Sequence, residues 1–262
     1  MFGFLKGRRR KELKAAPFPA EWREIIERNM ALYRRLPEAD RRELLGHVQV
    51  FVAEKPFEGC GGLAITDEIR VTVAAQACLL LLHRQTDYFP RLYSIVVYPT
   101  SFVAKTIKQE GPGMIAEGPV ARLGETWLRG PLVLSWDDVL ADASGSRTGS
   151  NVVLHEFAHE LDDEDGEANG APALERGQSY ADWARVLGAA YERLRRDVER
   201  GRESVLDDYG AENPAEFFAV ATECFFEMPV DLRIQQPELY EKLEEFYQQD
   251  PATWKETMDD GR

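Results

Sequence analysis

Two histidines and a glutamate lie within five residues of one another, in the segment His155-Glu156-Phe157-Ala158-His159. On an α-helix, residues four apart lie one above the other, so the two imidazoles can bind one Zn²⁺ ion, each at about 2.1 Å. Glu156 lies near the same face and can take a proton from an activated water and later pass it to a leaving amine. This HExxH pattern predicts a zinc site with hydrolytic chemistry.

The alternative is that both histidines lie on an ordinary polar helix face. A random chain of this size with four histidines would contain HExxH about once in a hundred cases. Apolar residues at 152–154, 157, 158 and 161 favour a buried helix instead. Buried imidazoles and carboxylates need partners, and a metal ion would satisfy the side chains of His155, Glu156 and His159.

A catalytic zinc site takes three protein ligands and keeps a fourth position open. The three-histidine extension HExxHxxGxxH is absent, because Asp162 and Asp165 stand where that pattern has Gly and His. Asp165 can still act as the third ligand, but without a glycine at position 162 the tight turn that returns it is disfavoured. Glu212 is a weaker candidate because it precedes the next predicted helix.

The favoured third ligand is Glu216, which lies in a helix that Asn213 can cap and Pro214 can open. Glu216, Val220 and Glu223 fall on one face of that helix, which is otherwise apolar. We expect Glu216 to bind the metal and Glu223 to accept a hydrogen bond from an imidazole N–H. The alternative is a solvated acidic face.

The elements that must position these residues indicate an α+β fold, with strands in the first half and helices dominating the second. Helices are predicted over residues 21–36, 38–54, 66–83, 150–161, 179–200, 214–226 and 238–249. Strands are predicted over residues 93–98 and 131–136, with a turn or short strand within 56–66. Residues 143–149 are expected to form a mobile loop.

We predict three regions along the chain: a basic, flexible N-terminus (1–20), a smaller N-terminal α/β region (21–110) and a catalytic region (111–262). The basic residues within 6–14 can contact a membrane surface or RNA. A run this short is more often a solvated, mobile terminus, and that is the interpretation we favour.

Composition indicates a globular protein of the cytoplasm. Hydrophobic residues make up 44% and charged residues 30% of the chain. The three cysteines are isolated in sequence, which fits a reducing compartment. A net charge of −14 argues against direct nucleic-acid binding. The longest apolar run falls short of the roughly 20 residues of a membrane span, and we expect neither a membrane partner nor a secretory signal.

Two stretches, HEFAHELD and YGAENPAEFFAVATE, resemble the Mlc titration factor A family of bacterial zinc peptidases. The distinctive similarity covers about residues 151–162 and 209–223. That family is similar in its catalytic core to anthrax lethal factor and belongs to the glutamate-ligand zincins, so the resemblance implies a zincin-like core. Asp162 also matches the family motif, where it either orients a ligand or ends the helix.

The resemblance implies one Zn²⁺ per chain, bound by His155, His159 and Glu216, with Glu156 as the general base. It also implies a role for Tyr209, which lies seven residues before the glutamate ligand. This tyrosine would donate a hydrogen bond to the oxyanion of the tetrahedral intermediate. Spacing alone does not single out Tyr209, which without the resemblance is a packed aromatic residue.

For function, the resemblance implies an aminopeptidase-like zinc peptidase that acts on short or unfolded peptides. Such a substrate can pair with residues 132–136, which we expect to be the exposed edge strand. The founding role of the family is to bind a sugar-responsive transcriptional repressor, so the alternative is a regulator that sequesters a repressor protein, with peptidase activity secondary or absent. A purely structural zinc is disfavoured because Glu156 is retained beside the metal.

Overall fold

The computed structural model describes residues 2–100, 131–144 and 149–255. The helices are α1 (Phe2–Ala15), α2 (Ala20–Asn29), α3 (Ala31–Arg35), α4 (Glu38–Glu54), α5 (Asp67–Leu79), α6 (Trp136–Ala143), α7 (Val152–Asp162), α8 (Tyr180–Glu199), α9 (Pro214–Glu227), α10 (Pro229–Gln235) and α11 (Pro237–Tyr247). The strands are β1 (Phe57–Gly59), β2 (Ile95–Tyr98) and β3 (Leu132–Ser135), and three short 3-10 helices cover Asp163–Asp165, Asp208–Ala211 and Pro251–Thr253. A small sheet with many helices confirms the predicted α+β class.

The three strands form one parallel sheet in the order β1-β2-β3. Ile95 of β2 pairs with Phe57 of β1 and with Leu132 of β3. Both strands predicted from β-branched residues are therefore present. In the described part of the chain, β3 lies at one side of the sheet, and Val133 points away from the core with 39% exposure. Its role as a substrate-binding edge strand stays a prediction.

The basic N-terminal segment differs from the flexible terminus expected over residues 1–20, because much of it forms α1 and packs on α4. Arg10 makes two hydrogen bonds to Glu54, at 2.8 and 2.7 Å, and two to Asp87, at 2.6 Å to its carboxylate and 3.1 Å to its backbone carbonyl. Its guanidinium also lies 4.5 Å from the centre of the Tyr88 ring. The sequence of α1 carries no apolar stripe, so its packing on α4 could not be predicted from the pattern of apolar residues.

The predicted helix over residues 21–36 is split. Met30 has an extended backbone, with φ −124° and ψ 95°, and its side chain is buried with 1% exposure. The chain turns there so that the methionine enters the core, and α3 starts afresh at the next residue. The predicted helix over residues 38–54 coincides with α4, and the one over 66–83 ends early, at Leu79.

The core that supports the site is rich in aromatic side chains. Phe157 of α7 makes edge contacts with Phe51 and Phe89, with ring centres 5.7 and 4.8 Å apart. Trp183 of α8 packs against Phe218 of α9 in the same way. Among the elements that the structure describes, α7 and α9 are in the most extensive contact, so the two helices that carry the chemical residues are held side by side.

None of the helices in the described ranges combines the length and the apolar character that crossing a membrane requires. Helix α5, from the first half of the chain, packs against α7 from the second half. The proposed division at residues 20 and 110 stays a prediction.

Candidate metal centre

Helix α7 is built so that one face enters the core and the other carries the HExxH side chains. Asn151 caps it, with Oδ1 accepting a hydrogen bond from the Leu154 N–H at 3.0 Å. Leu154 and Phe157 are fully buried. His155 and His159, on the adjoining face, are half-buried. The predicted motif helix is present and leaves both imidazoles accessible at one surface.

Helix α9 presents its carboxylates to the same surface. Pro214 opens the helix, and the side chain of Asn213 caps it by accepting from the Glu216 N–H at 3.0 Å. Glu216 lies in the first turn and is half-buried. Glu223 lies two turns further along and is buried, with 6% exposure. The helix start and the inward face agree with the pattern expected for this segment.

The three atoms that can bind a metal form a small triangle. Nε2 of His155 lies 3.2 Å from Nε2 of His159, and Oε2 of Glu216 lies 3.1 and 3.3 Å from these two nitrogens. A tetrahedral zinc with bonds of 2.0–2.1 Å separates neighbouring ligand atoms by about 3.3 Å. The donor set and its spacing therefore fit a zinc ion without rearrangement.

Among the described residues, His155, His159 and Glu216 are the group that could hold a metal ion. The other two candidates for a third ligand, Asp165 and Glu212, lie outside this group and are exposed. Oδ1 of Asp165 instead accepts the N–H of Glu167 within its own turn, at 3.0 Å. Of the acids weighed as the third ligand, Glu216 is the one whose carboxylate meets both histidines.

Glu223 connects one imidazole to the start of α7. Its Oε1 lies 2.6 Å from Nδ1 of His155, and its Oε2 accepts the Asn151 N–H at 2.5 Å. With Nδ1 as the donor, Nε2 of His155 presents its lone pair to the centre of the triangle. Burial lowers the pKa of His155, but hydrogen bonds to Glu216 and Glu223 outweigh it and raise the pKa to about 10.

The two remaining carboxylates at the centre differ in pKa. Burial raises the pKa of Glu216, but its hydrogen bonds to His155 and His159 dominate and lower the value to about 2. Burial also raises the pKa of Glu156, and here the nearby imidazoles only partly oppose it. Glu216 is thus a permanent anion suited to a cation, whereas Glu156 is a better proton acceptor than an ordinary glutamate.

Tyr209 reaches the same site from a third element. It lies in the 3-10 helix Asp208–Ala211, and Asp207 fixes its backbone by accepting the Tyr209 N–H at 2.8 Å. The ring centres of Tyr209 and His155 are 6.0 Å apart. Burial and the Glu216 carboxylate raise the pKa of Tyr209 to about 12, so its hydroxyl keeps its proton and can donate it in a hydrogen bond.

Asp162 is the last residue of α7 and is fully buried. Its Oδ2 accepts the N–H of Gly170 at 2.7 Å, and the carbonyl of Gly170 accepts the Trp183 indole N–H at 2.9 Å. Gly170 has φ +79°, and a Cβ there would lie 2.4 Å from the carbonyl oxygen of Pro214. These four residues, which we call the Gly170 clasp, join the end of α7 to α8 and to the start of α9.

Asn151 is a contact point that the sequence interpretation missed. Besides capping α7, its Nδ2 donates to Oε1 of Gln76 and to Oε1 of Glu227, both at 2.9 Å. It therefore ties α5, α7 and α9 together immediately beside His155. An asparagine directly before an apolar helical run is a typical cap, so the position of Asn151 at the helix start could be predicted from the sequence. Its hydrogen bonds to distant residues could not.

Comparison with protein families matches residues 4–248 to the family described as glucose-regulated metallo-peptidase M90. Mlc titration factor A of Serratia proteamaculans is 32% identical over 235 residues, covering 88% of this chain and 88% of that protein.

Mlc titration factor A of Yersinia pestis (strain Pestoides F) is 29% identical over 248 residues, covering 92% and 90% of the two chains. An uncharacterized protein of Synechocystis, slr2042, is 38% identical over 244 residues, covering 93% and 89%. These matches extend well beyond the two motifs and confirm the resemblance drawn from them. The chain belongs to the glucose-regulated metallo-peptidase M90 family.

Proposed function

We propose that this protein is a zinc-dependent peptidase of the HExxH type, whose metal is held by His155, His159 and Glu216. The observation that carries the proposal is the triangle of two imidazole nitrogens and one carboxylate oxygen, with sides of 3.1–3.3 Å. Two histidines and a glutamate are a donor set of catalytic rather than structural zinc sites. Membership of a metallo-peptidase family supports the same chemistry.

The zinc, when bound, polarises the scissile carbonyl and lowers the pKa of water toward neutrality. Glu156 accepts the proton of the attacking water, which its raised pKa favours, and then transfers that proton to the leaving amine. The hydroxyl of Tyr209 donates a hydrogen bond to the oxyanion that develops at the carbonyl oxygen as water adds to the carbon. Glu223 holds the Nδ1 proton of His155 and so keeps the ring in one tautomer and one orientation.

We propose short or unfolded peptides as substrates, cleaved in an aminopeptidase-like manner. An extended peptide would pair along β3, which lies at one side of the sheet in the described part of the chain and whose Val133 is 39% exposed. We also assign the protein to the cytoplasm, because its three cysteines are free thiols and fit a reducing compartment.

A second candidate function comes from the names of two relatives, which are titration factors for Mlc. On this proposal the chain binds a transcriptional repressor protein, and its peptidase activity is secondary. Binding of a protein partner does not need the proton transfer by Glu156, so a substitution at that residue separates the two functions.

The test is Glu156→Gln, with Glu160→Gln as the matched change one turn further along α7. Loss of the general base should lower peptide hydrolysis by at least about 10²–10⁴-fold, while bound zinc and repressor binding stay unchanged. The control variant should retain hydrolysis. If the zinc-loaded wild type cleaves no peptide, with or without the repressor, the peptidase proposal fails and the binding function remains.

A further inference from the structure

A pocket of about 520 Å³ adjoins the metal centre on the side of His155 and Tyr209. Three elements line it: the entry to α7, the segment before the 3-10 helix Asp208–Ala211, and α9 with the residue that follows it. Its apolar lining consists of Val152, Val205, Leu206, Val220 and Met228. Because the pocket opens beside the imidazole that would bind the metal, whatever fills it lies next to the reacting bond.

The apolar wall is already formed in the folded protein. Leu206 and Val220 are held by the core, with 2% and 3% exposure, so the apolar surface open to a ligand comes mainly from the half-buried Val152, Val205 and Met228. Met228 closes one end by packing on Gly149, where a Cβ would come within 2.9 Å of the methionine sulfur. Gly149 has φ +77°, a conformation that glycine adopts freely, and this lets the chain pass close to Met228.

The charges around the pocket have one sign. Among the described lining residues there is no lysine or arginine, and the carboxylates are those of Asp207 and Glu223. Glu223 is committed to His155 and Asn151. Asp207 is exposed at the rim, where its Oδ1 accepts the Tyr209 N–H. An acidic side chain entering past the rim would meet the like charge of Asp207, and no lysine or arginine of the described lining offsets that repulsion.

We propose that this pocket, the apolar subsite, binds a large apolar side chain of leucine or phenylalanine size, from a substrate residue next to the scissile bond, and rejects aspartate and glutamate. The inference rests on the proposed peptidase function, since it assigns a substrate preference to the same centre. We assign to Val152 the size of the side chain accepted, because it lies in the first turn of α7 and lines the pocket together with His155.

Binding can be measured apart from catalysis with the zinc-loaded Glu156→Gln variant. The probes are pentapeptides of glycine in which one of the first two residues, which flank the bond that an aminopeptidase cleaves, is leucine, phenylalanine, alanine or glutamate. Burial of the larger side chain should make the leucine and phenylalanine peptides bind about tenfold more tightly than the alanine peptide. The glutamate peptide should bind most weakly of the four.

Two substitutions in the same background test the assigned residues. Val152→Phe fills the subsite and should remove the preference for leucine while leaving the affinity for the alanine peptide within about twofold. The matched control is Val198→Phe, at another half-buried valine on α8, which should keep the preference. Asp207→Asn preserves the acceptor for Tyr209 and should raise the affinity for the glutamate peptide about threefold, whereas Asp208→Asn should not.

Equal binding of the leucine and alanine peptides, or no measurable binding of any peptide, would overturn the apolar subsite. The same holds for an undiminished leucine preference in Val152→Phe. If Val152→Phe loses its zinc or its fold, the Asp207→Asn comparison decides instead. A wild type that hydrolyses nothing but whose Glu156→Gln form still prefers leucine would contradict the proposed function and leave the subsite standing.

Discussion

Helix α7 carries its histidines and Glu156, the proposed general base, within little more than one turn, whereas α9 brings Glu216 to them from 61 residues beyond His155. In α7 the spacing of the side chains follows from helix geometry alone. In α9 the position of the carboxylate depends on contacts outside the helix. These are the Asn213 cap, the aromatic packing against α8 and the Gly170 clasp.

The difference shows how a metal centre can be divided between a local part and a long-range part. Substitutions in α7 should remove chemistry without moving the backbone. Substitutions around α9 should weaken metal binding by removing or displacing one ligand. The first three of the following experiments test this division, from the largest effect on zinc affinity to the smallest, and the fourth tests the proton that zinc must displace.

Glu216→Ala should reduce zinc affinity the most, because it removes a protein ligand from the triangle. We expect the loss of zinc affinity to exceed the 10–100-fold that is typical when a residue hydrogen-bonded to a metal ligand is replaced. Zinc binding would be measured by competition with a chromogenic chelator. Glu212→Ala, at the acid just before the cap of α9, is the control and should bind zinc as the wild type does. Stoichiometric, tight zinc in Glu216→Ala would place the third ligand elsewhere.

Glu223→Gln should lower zinc affinity by about 10–100-fold, since the neutral amide cannot accept both the His155 and the Asn151 hydrogen bonds. Glu227→Gln is a close match, because Glu227 is also buried on α9 and contacts Asn151 through its side chain, at 2.9 Å, but not the histidine. If zinc affinity falls equally in Glu223→Gln and Glu227→Gln, the effect comes from the packing of α9 and not from orientation of the His155 imidazole.

Gly170→Ala should destabilise the protein by about 1–3 kcal/mol, because alanine is strained at positive φ and its Cβ would collide with the Pro214 carbonyl. Displacement of α9 should also weaken zinc binding. Gly177→Ala isolates the strain, since Gly177 has φ +102° but nothing within 4 Å of its Cβ. Chemical denaturation and zinc titration of both variants make the comparison, and unchanged zinc affinity in Gly170→Ala would show that the clasp does not position Glu216.

Zinc affinity should rise about tenfold for each pH unit between about pH 6.5 and 10. Without metal, the pKa of His155 is about 10, because its hydrogen bonds to Glu216 and Glu223 exceed the opposing effect of burial. That pKa lies above the unfolded value of about 6.5. The protonated imidazole therefore contributes to the free energy of unfolding of the metal-free protein fully below pH 6.5, and this contribution is lost as the pH rises through 10. Zinc must displace the same proton to bind, so its affinity rises over the same range. An affinity that is flat across this range would contradict the assignment of His155.

The residues of α7 in the site were predictable from the sequence, and so was the carboxylate that α9 brings to them. His155, Glu156 and His159 follow from helical spacing, and Glu216 follows from the cap and the apolar face of its helix. Tyr209 came from family resemblance only, because a tyrosine in a short 3-10 helix has no periodic pattern that marks it.

Other features depend on contacts between distant residues. Asp162 was expected to orient a ligand or to end its helix, but its partner Gly170 could be identified only from the folded chain. Helix α1 was missed because Arg10 is held by Glu54 and Asp87, and the break at Met30 was missed because tertiary burial overrode a continuous helical pattern. Residues 101–130 and 145–148, which include part of the expected mobile loop, lie outside the described residues.

The most direct measurement is the anomalous-difference density at the zinc absorption edge in crystals of the zinc-loaded protein. We expect one peak per chain, about 2.0–2.2 Å from Nε2 of His155, Nε2 of His159 and a carboxylate oxygen of Glu216. A peak bound by both histidines with Glu216 turned away, or zinc bound at a different group of residues, would contradict the convergence of α7 and α9 on one metal ion.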